Sequence, residues 1–259
     1  MKILVAIKQV PERDAPLHIA AGGQWVEEAS DGYVINEPDA YALEEALQLK
    51  EKHGGEVIAL SAGPERVAST LRDALAKGAD RAIHITTNST TSLAASDTLG
   101  IATLLAAAIR SESPDLILTG LQSDDLGLGQ TGVVVAELLG IPSATIIMQV
   151  EKSASGIKAK RELEDGWFQH VEIPLPALLT IQSGINKLRY ATLMGIKKSK
   201  SKELKRIAAS DLGATPAPTL TLDRLYIPAK QKKTELLTGT PEEAASELVA
   251  KLKNEARAI

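Results

Sequence analysis

Between Gly120 and Gly132 the chain reads Gly-Leu-Gln-Ser-Asp-Asp-Leu-Gly-Leu-Gly-Gln-Thr-Gly, a polar loop with glycines at 127, 129 and 132. Glycines let backbone N–H groups turn toward a ligand with no Cβ in the way. A helix that begins at such a loop adds unpaired N–H groups and the positive end of its dipole. The chemistry this suits is the holding of an anion such as a phosphate. The spacing is neither that of a P-loop with its Lys nor that of the tight dinucleotide fingerprint, so a purely structural strand-to-helix loop fits it equally well. Asp124 and Asp125 are neighbours whose side chains point apart unless the loop turns sharply. Solvating the loop or capping a helix suits them better than paired acid–base work.

Other catalytic chemistry is poorly provided for. There is no cysteine, which removes thiol nucleophiles, thiolate metal sites and disulfides. The four histidines, at 18, 53, 84 and 170, lack the short spacings of a metal site, and His84 and His170 fall inside expected strands where a structural role is the simpler one. The run from Lys197 to Arg206 carries six cations in ten residues. It reads either as a solvated face or as a docking patch for an acidic partner. Leu193 and Met194, just before it, read either as core anchors or as an exposed apolar knob that fills a partner's pocket.

Composition excludes further classes. A net charge of −4 argues against a nucleic-acid or anionic-membrane surface, and 3% aromatic content against stacking on single-stranded nucleic acid or sugars. Apolar runs fall well short of the ~18 residues of a membrane span, and Met1 leads straight into a strand, so a cytoplasmic or equivalent reducing setting and no membrane insertion are expected.

The elements that must position the loop follow from periodicity. Lys2–Lys8, Glu56–Ser61, Arg81–Thr86, Leu116–Leu118, Ala144–Val150 and Ala177–Ile181 are short apolar runs, the pattern of strands buried on both faces. Between them lie amphipathic stretches: from Asp39 to Gly54, from Pro64 to Gly78, from Leu99 to Ile109, and from Val133 on. Alternating strands and helices predict an α/β, doubly wound, mostly parallel sheet, with every strand's C-terminal end on one edge where ligands bind. Three loops converge there: after Ala6, at Ser61-Ala62-Gly63, and from Gly120 to Thr131. Residues 9–38 read as an excursion with a hairpin, including an alternating piece at Gln24–Val26. Ile157–Leu163, a turn at Glu164-Asp165-Gly166 and Trp167–Ile173 predict an added β-hairpin. Residues 185–240 read as an extended C-terminal arm, followed by a last helix from Pro241 to Ile259.

The hairpin sequence Ala159-Lys160-Arg161-Glu162-Leu163-Glu164-Asp165-Gly166-Trp167-Phe168-Gln169-His170-Val171, with Pro176-Ala177-Leu178-Leu179-Thr180 after it, resembles the signature of the electron transfer flavoprotein beta-subunit (ETF beta / FixA) family. Ile3–Lys8, Glu44-Glu45-Ala46, Gly78–Arg81, Gln130-Thr131-Gly132 and Arg189-Tyr190-Ala191-Thr192-Leu193 resemble that family in the same order, over residues 1 to about 206.

The resemblance implies an electron carrier subunit, with no catalytic residues or metal of its own, that acts as a heterodimer with an alpha subunit holding most of the FAD. It implies that this chain binds AMP as a structural nucleotide, at Ala6, at Asn36, Glu37, Pro38 and Asp39, at Ala62, and at Gln122, Ser123, Asp124, Asp125, Gly127, Gly129, Gln130, Thr131, Gly132 and Val133. Electrons would come from dehydrogenases and pass to a quinone-linked acceptor oxidoreductase. Tyr190, Ala191, Thr192, Leu193, Met194, Lys197 and Lys198 would dock the redox partner. The implied domains are residues 1–184, nucleotide-binding with the hairpin at 156–176, and residues 185–259, arm and final helix, contacting the alpha subunit and redox partners. One branch of the family replaces AMP with a second FAD and uses NADH. Thr131 favours the AMP branch, whereas Ala95-Ser96-Asp97-Thr98 resembles the other. Arg13 stands where some members carry an aromatic near the flavin. A rival of another class is a stand-alone nucleotide-binding sensor.

Overall fold

The computed structural model describes residues 1–23, 25–27, 32–87, 97–214, 219–229 and 234–259. Gln24 of the expected alternating piece lies outside them. Two compact units are present, Met1–Leu225 and Tyr226–Ile259.

The first unit is built on a nine-stranded sheet. Its strands are β1 (Lys2–Ala6), β4 (Glu56–Gly63), β5 (Arg81–Thr86), β6 (Leu116–Gly120), β7 (Ser143–Lys152), β8 (Ile157–Glu162), β9 (Phe168–Ile173), β10 (Ala177–Ile181) and β11 (Leu204–Ala208). They lie in the order β11-β5-β4-β1-β6-β10-β7-β8-β9. The pairs from β11 to β7 are parallel, and β8 and β9 add an antiparallel hairpin to β7. β2 (Gln9–Pro11) and β3 (Tyr33–Ile35) form a separate two-stranded sheet, the hairpin expected between residues 9 and 38. The α/β class, the parallel sheet and the signature hairpin are thus as the sequence predicts.

Pleating explains why the central strands are apolar throughout. Side chains alternate between the two faces, and both faces are covered by helices. Ile3, Val5, Val57, Leu116 and Leu118 pack under α1 (Glu37–His53) and α2 (Val67–Lys77), with Leu43, Leu47, Leu71 and Leu75. Leu4, Ile58, Leu60, Ile83 and Ile117 pack on the opposite face under α3 (Thr98–Glu112) and α4 (Thr131–Leu139), with Leu104, Ile109 and Val135. The chain leaves β1 toward β4 on one side and enters β6 on the other, which sets the topological switch point between β1 and β6.

Residues 193–212 hold more regular structure than an extended arm. α5 (Leu193–Ser199) packs beside α2, and β11 extends the sheet past β5 in register from Leu204↔Ala82 to Ala208↔Thr86. The second unit holds α6 (Pro241–Asn254), which ends five residues short of the expected Ile259. Its start is a full capping box: Thr240 accepts from the Glu243 amide, the Glu243 carboxylate accepts from the Thr240 amide, and Pro241 occupies the first turn.

Gly156 opens β8 where only a glycine fits, since a Cβ there would stand 2.1 Å from the Ile173 carbonyl oxygen. Gly156→Ala is expected to cost about 1–3 kcal/mol by forcing β8 and β9 apart, read as a lower urea midpoint with an unchanged slope. An unchanged midpoint would show that the hairpin mouth is looser than described.

Candidate functional site

One carboxylate holds the exits of β1 and β6 together. Asp39 lies in the first turn of α1, 6% exposed, and it accepts two backbone hydrogen bonds: from Lys8 N at 2.8 Å and from Gly120 N at 2.7 Å. Lys8 follows β1 and Gly120 ends β6, so a single side chain joins the exits of the two strands at the switch point. Gly120 must be glycine for this to happen, because a Cβ would sit 2.5 Å from Asp39 Oδ1.

Asn36, at the N-cap of α1, makes the next connection. Its Nδ2 donates to the Gln122 carbonyl at 2.9 Å, and its Oδ1 accepts from the Asp124 amide at 2.8 Å. The Asp124 carboxylate accepts in turn from the Glu37 amide at 3.0 Å, which satisfies an N–H at the start of α1. Asp125 accepts from Lys8 Nζ at 2.6 Å, and the same ammonium reaches Ser123 Oγ at 3.3 Å. The two adjacent carboxylates therefore point apart, one capping a helix and one pairing a lysine. Burial pushes Asp125 up, but the Lys8 charge and its hydrogen bond outweigh that and hold the carboxyl below its ordinary range.

Beyond Asp125 the loop turns at Gly127 and Gly129, both in the left-handed region at φ 63° and 64°, and enters α4. Gln130 at the N-cap of α4 makes no side-chain capping bond. Gly132 lets the first turn of α4 sit on the strand ends: a Cβ there would meet Thr119 Oγ1 at 2.6 Å and Thr180 Cγ2 at 2.7 Å. Leu126, Leu128 and Val133 are exposed along the loop's outer side.

Asn36, Glu37, Asp39 and the loop from Gln122 to Asp125 are thus joined by hydrogen bonds. Ala6 and Ala62 end or nearly end the adjacent strands β1 and β4, so they line the same edge. Ala62 is itself part of β4, which runs two residues further than the expected Ser61. Pattern reading passed over Lys8, Thr119 and Thr180. A lysine directly after a buried strand was the available signal for Lys8.

The docking residues stand apart. Helices in βαβ units run antiparallel to the strands, so the late turns of α1 and α2 lie at the opposite edge. Thr192 caps α5 by accepting from the Gly195 amide at 3.0 Å, and a Cβ on Gly195 would stand 2.3 Å from the Ala76 carbonyl oxygen near the end of α2. Tyr190 and Leu193 are 93% and 86% exposed, Met194, Lys197 and Lys198 are exposed, and Ala191 is half-buried. Leu193 and Met194 are therefore an exposed knob and not core anchors.

The remaining candidates are structural. His84 is fully buried in β5 with Nε2 3.0 Å from the Gly63 carbonyl oxygen, and burial lowers its pKa. Asp97 caps α3 through Gly100 N and also accepts from the Thr219 amide and hydroxyl and the Leu220 amide, which holds its carboxyl at about 2. Ala95 and Ser96 lie outside the described residues. Among those residues no group of three or more histidine or carboxylate side chains could hold a metal, and no helix is long and apolar enough to cross a membrane.

The profile of the electron transfer flavoprotein domain matches residues 24–212. The chain belongs to the electron transfer flavoprotein beta-subunit family. It is 38% identical to the electron transfer flavoprotein subunit beta of Methylophilus methylotrophus, over 96% of this chain and 97% of that one. It is 36% identical to the corresponding subunit of Bacillus subtilis (strain 168) and 37% to the mitochondrial subunit of Arabidopsis thaliana, over the full length of both chains in each case.

Asp39 gives a pH signature. Burial raises its pKa from 3.8 to about 6, against the lowering effect of the Lys8 and Gly120 amides and of Asn36. Since the folded value lies above the unfolded one, the native state holds the proton more tightly, and this stabilisation is present below 3.8 and lost as pH rises through about 6. The difference corresponds to about 3 kcal/mol. Urea titrations from about pH 7 down to about pH 4 should show the wild type gaining on Asp39→Asn by up to that amount. Parallel profiles would mean that Asp39 ionises normally.

Proposed function

We propose that this chain is the beta half of a heterodimeric electron carrier and that its C-terminal edge holds AMP as a structural nucleotide. The alpha subunit holds most of the FAD, which supplies the redox chemistry. The observation that carries the AMP reading is the start of α4: a first turn without a side-chain cap, entered through Gly127 and Gly129, next to a loop already fastened to α1. Such a helix start suits a phosphate, because its free amides and dipole favour negative charge. The Thr131 hydroxyl at the first position of α4 adds a donor. Small residues at Ala6, Ala62 and Gly132 suit close approach by a nucleoside.

In this reading the chain binds and orients, and reducing equivalents pass from dehydrogenases through the heterodimer to a quinone-linked acceptor oxidoreductase. The docking element is the exposed turn at Tyr190–Met194 with Lys197 and Lys198. A large apolar side chain such as Leu193, 86% exposed on a capped helix start, suits insertion into a partner's pocket. The lysines add steering toward an acidic partner.

Co-expression with the alpha subunit followed by release of the bound small molecules tests the cofactor reading. One FAD and one AMP per heterodimer is the expected result. Two FAD would favour the branch that uses NADH, and a stable monomer carrying a nucleotide alone would favour a sensor. Leu193→Ala is expected to keep the fold and the AMP yet to slow dehydrogenase-driven flavin reduction at low heterodimer concentration by at least about tenfold, the loss of a hot-spot side chain. An unchanged rate would remove Leu193 from docking.

A further inference from the structure

The exposed docking turn is held at both ends. Downstream, α5 lies against the end of α2 at Gly195, Arg72 Nη1 donates to the carbonyls of Ser199 and Lys202, and Lys202 Nζ donates to the carbonyls of Leu75 and Ala79. Upstream, Arg189 grips α1. Its Nε and Nη2 donate to the two Glu44 carboxylate oxygens at 2.7 and 3.0 Å, and its Nη1 and Nη2 donate to the two Glu51 oxygens at 2.6 and 3.2 Å. The Arg189 backbone amide also donates to Glu44, at 3.3 Å. Glu44 is 5% exposed, so its hydrogen-bond partners are protein groups, this guanidinium and Gln48 Nε2.

Between the two grips lie Tyr190, Ala191 and Thr192, and then Leu193. No buried apolar contact fixes Tyr190 or Leu193, since both are almost wholly exposed. Their order must come from the chain on either side. A free segment of this length would lose about 1–2 kcal/mol of backbone entropy per residue on binding, whereas a segment ordered beforehand loses far less.

We infer that Arg189 is a positioning residue: its double fork onto Glu44 and Glu51 presents the docking turn in a fixed conformation before a redox partner arrives. The inference rests on the docking reading given above. A planar guanidinium makes two bidentate contacts at once, which the single ammonium of a lysine cannot copy.

The test uses the flavin-loaded heterodimer as substrate of its dehydrogenase. Arg189→Lys is expected to raise the apparent KM for the heterodimer about tenfold with kcat, flavin and nucleotide content unchanged. Added to Leu193→Ala it should have no further effect, because Arg189 acts through the turn that carries Leu193. Additive losses, or a fall in kcat at constant KM, would overturn the inference. Glu51→Gln removes only the exposed half of the clamp and leaves Glu44 paired, so it serves where Arg189→Lys fails to assemble. A KM raised about threefold supports the clamp, and an unchanged KM overturns it. If Leu193→Ala alone leaves KM unchanged, the docking reading itself fails and takes this inference with it.

Discussion

The structure depends on one buried carboxylate at the point where the order of the strands reverses. Asp39 joins the exits of β1 and β6 through the Lys8 and Gly120 amides. Burying a charge is costly unless it is hydrogen-bonded, and here the bonding partners are the backbone groups that would otherwise be orphaned at the strand ends. The carboxylate and the amides therefore satisfy one another. Asn36 and Asp124 extend the same logic outward, each accepting from an amide of the other's segment or its neighbour. A loop of glycines and small polar residues is thereby fastened to the first turn of α1.

α1 also makes two connections. Its first turn is tied to the exits of β1 and β6, and five and twelve residues later Glu44 and Glu51 receive Arg189, about 8 and about 18 Å along the axis at the α-helical rise. The strand exits and the exposed turn at Tyr190–Leu193 are thus both fastened to one helix.

Much of this was legible because it depends on local pattern. Apolar runs such as Ile3–Ile7 and Leu116–Leu118, too short for a helix and bounded by polar or turn residues, read as strands covered on both sides, and the Glu164-Asp165-Gly166 turn sets the hairpin. The anion-suited loop could be recognised from its glycines. What escaped was long-range. β11 reads Leu-Lys-Arg-Ile-Ala, with two charged residues in five, because it is an edge strand that the cores reach only at Leu204 on one face and Ile207 on the other, leaving Lys205 and Arg206 exposed. Its pairing with β5 has no local signature. Lys8 and Arg189 find their carboxylate partners more than a hundred residues away, and no spacing rule links such positions. The paired aspartates 124 and 125 were legible as capping or solvating groups, but not the particular amide and ammonium that each would meet.

The hydrogen bonds at the exits of β1 and β6 are made without a nucleotide. Residue-resolved hydrogen exchange on the nucleotide-free chain tests this directly. The account predicts that the amides of Lys8, Glu37, Gly120 and Asp124 exchange slowly without AMP, at rates nearer to those of β1 and β6 than to those of open loops. Rapid exchange at all four, slowed only when AMP is added, would mean that the ligand builds the site, and would contradict it.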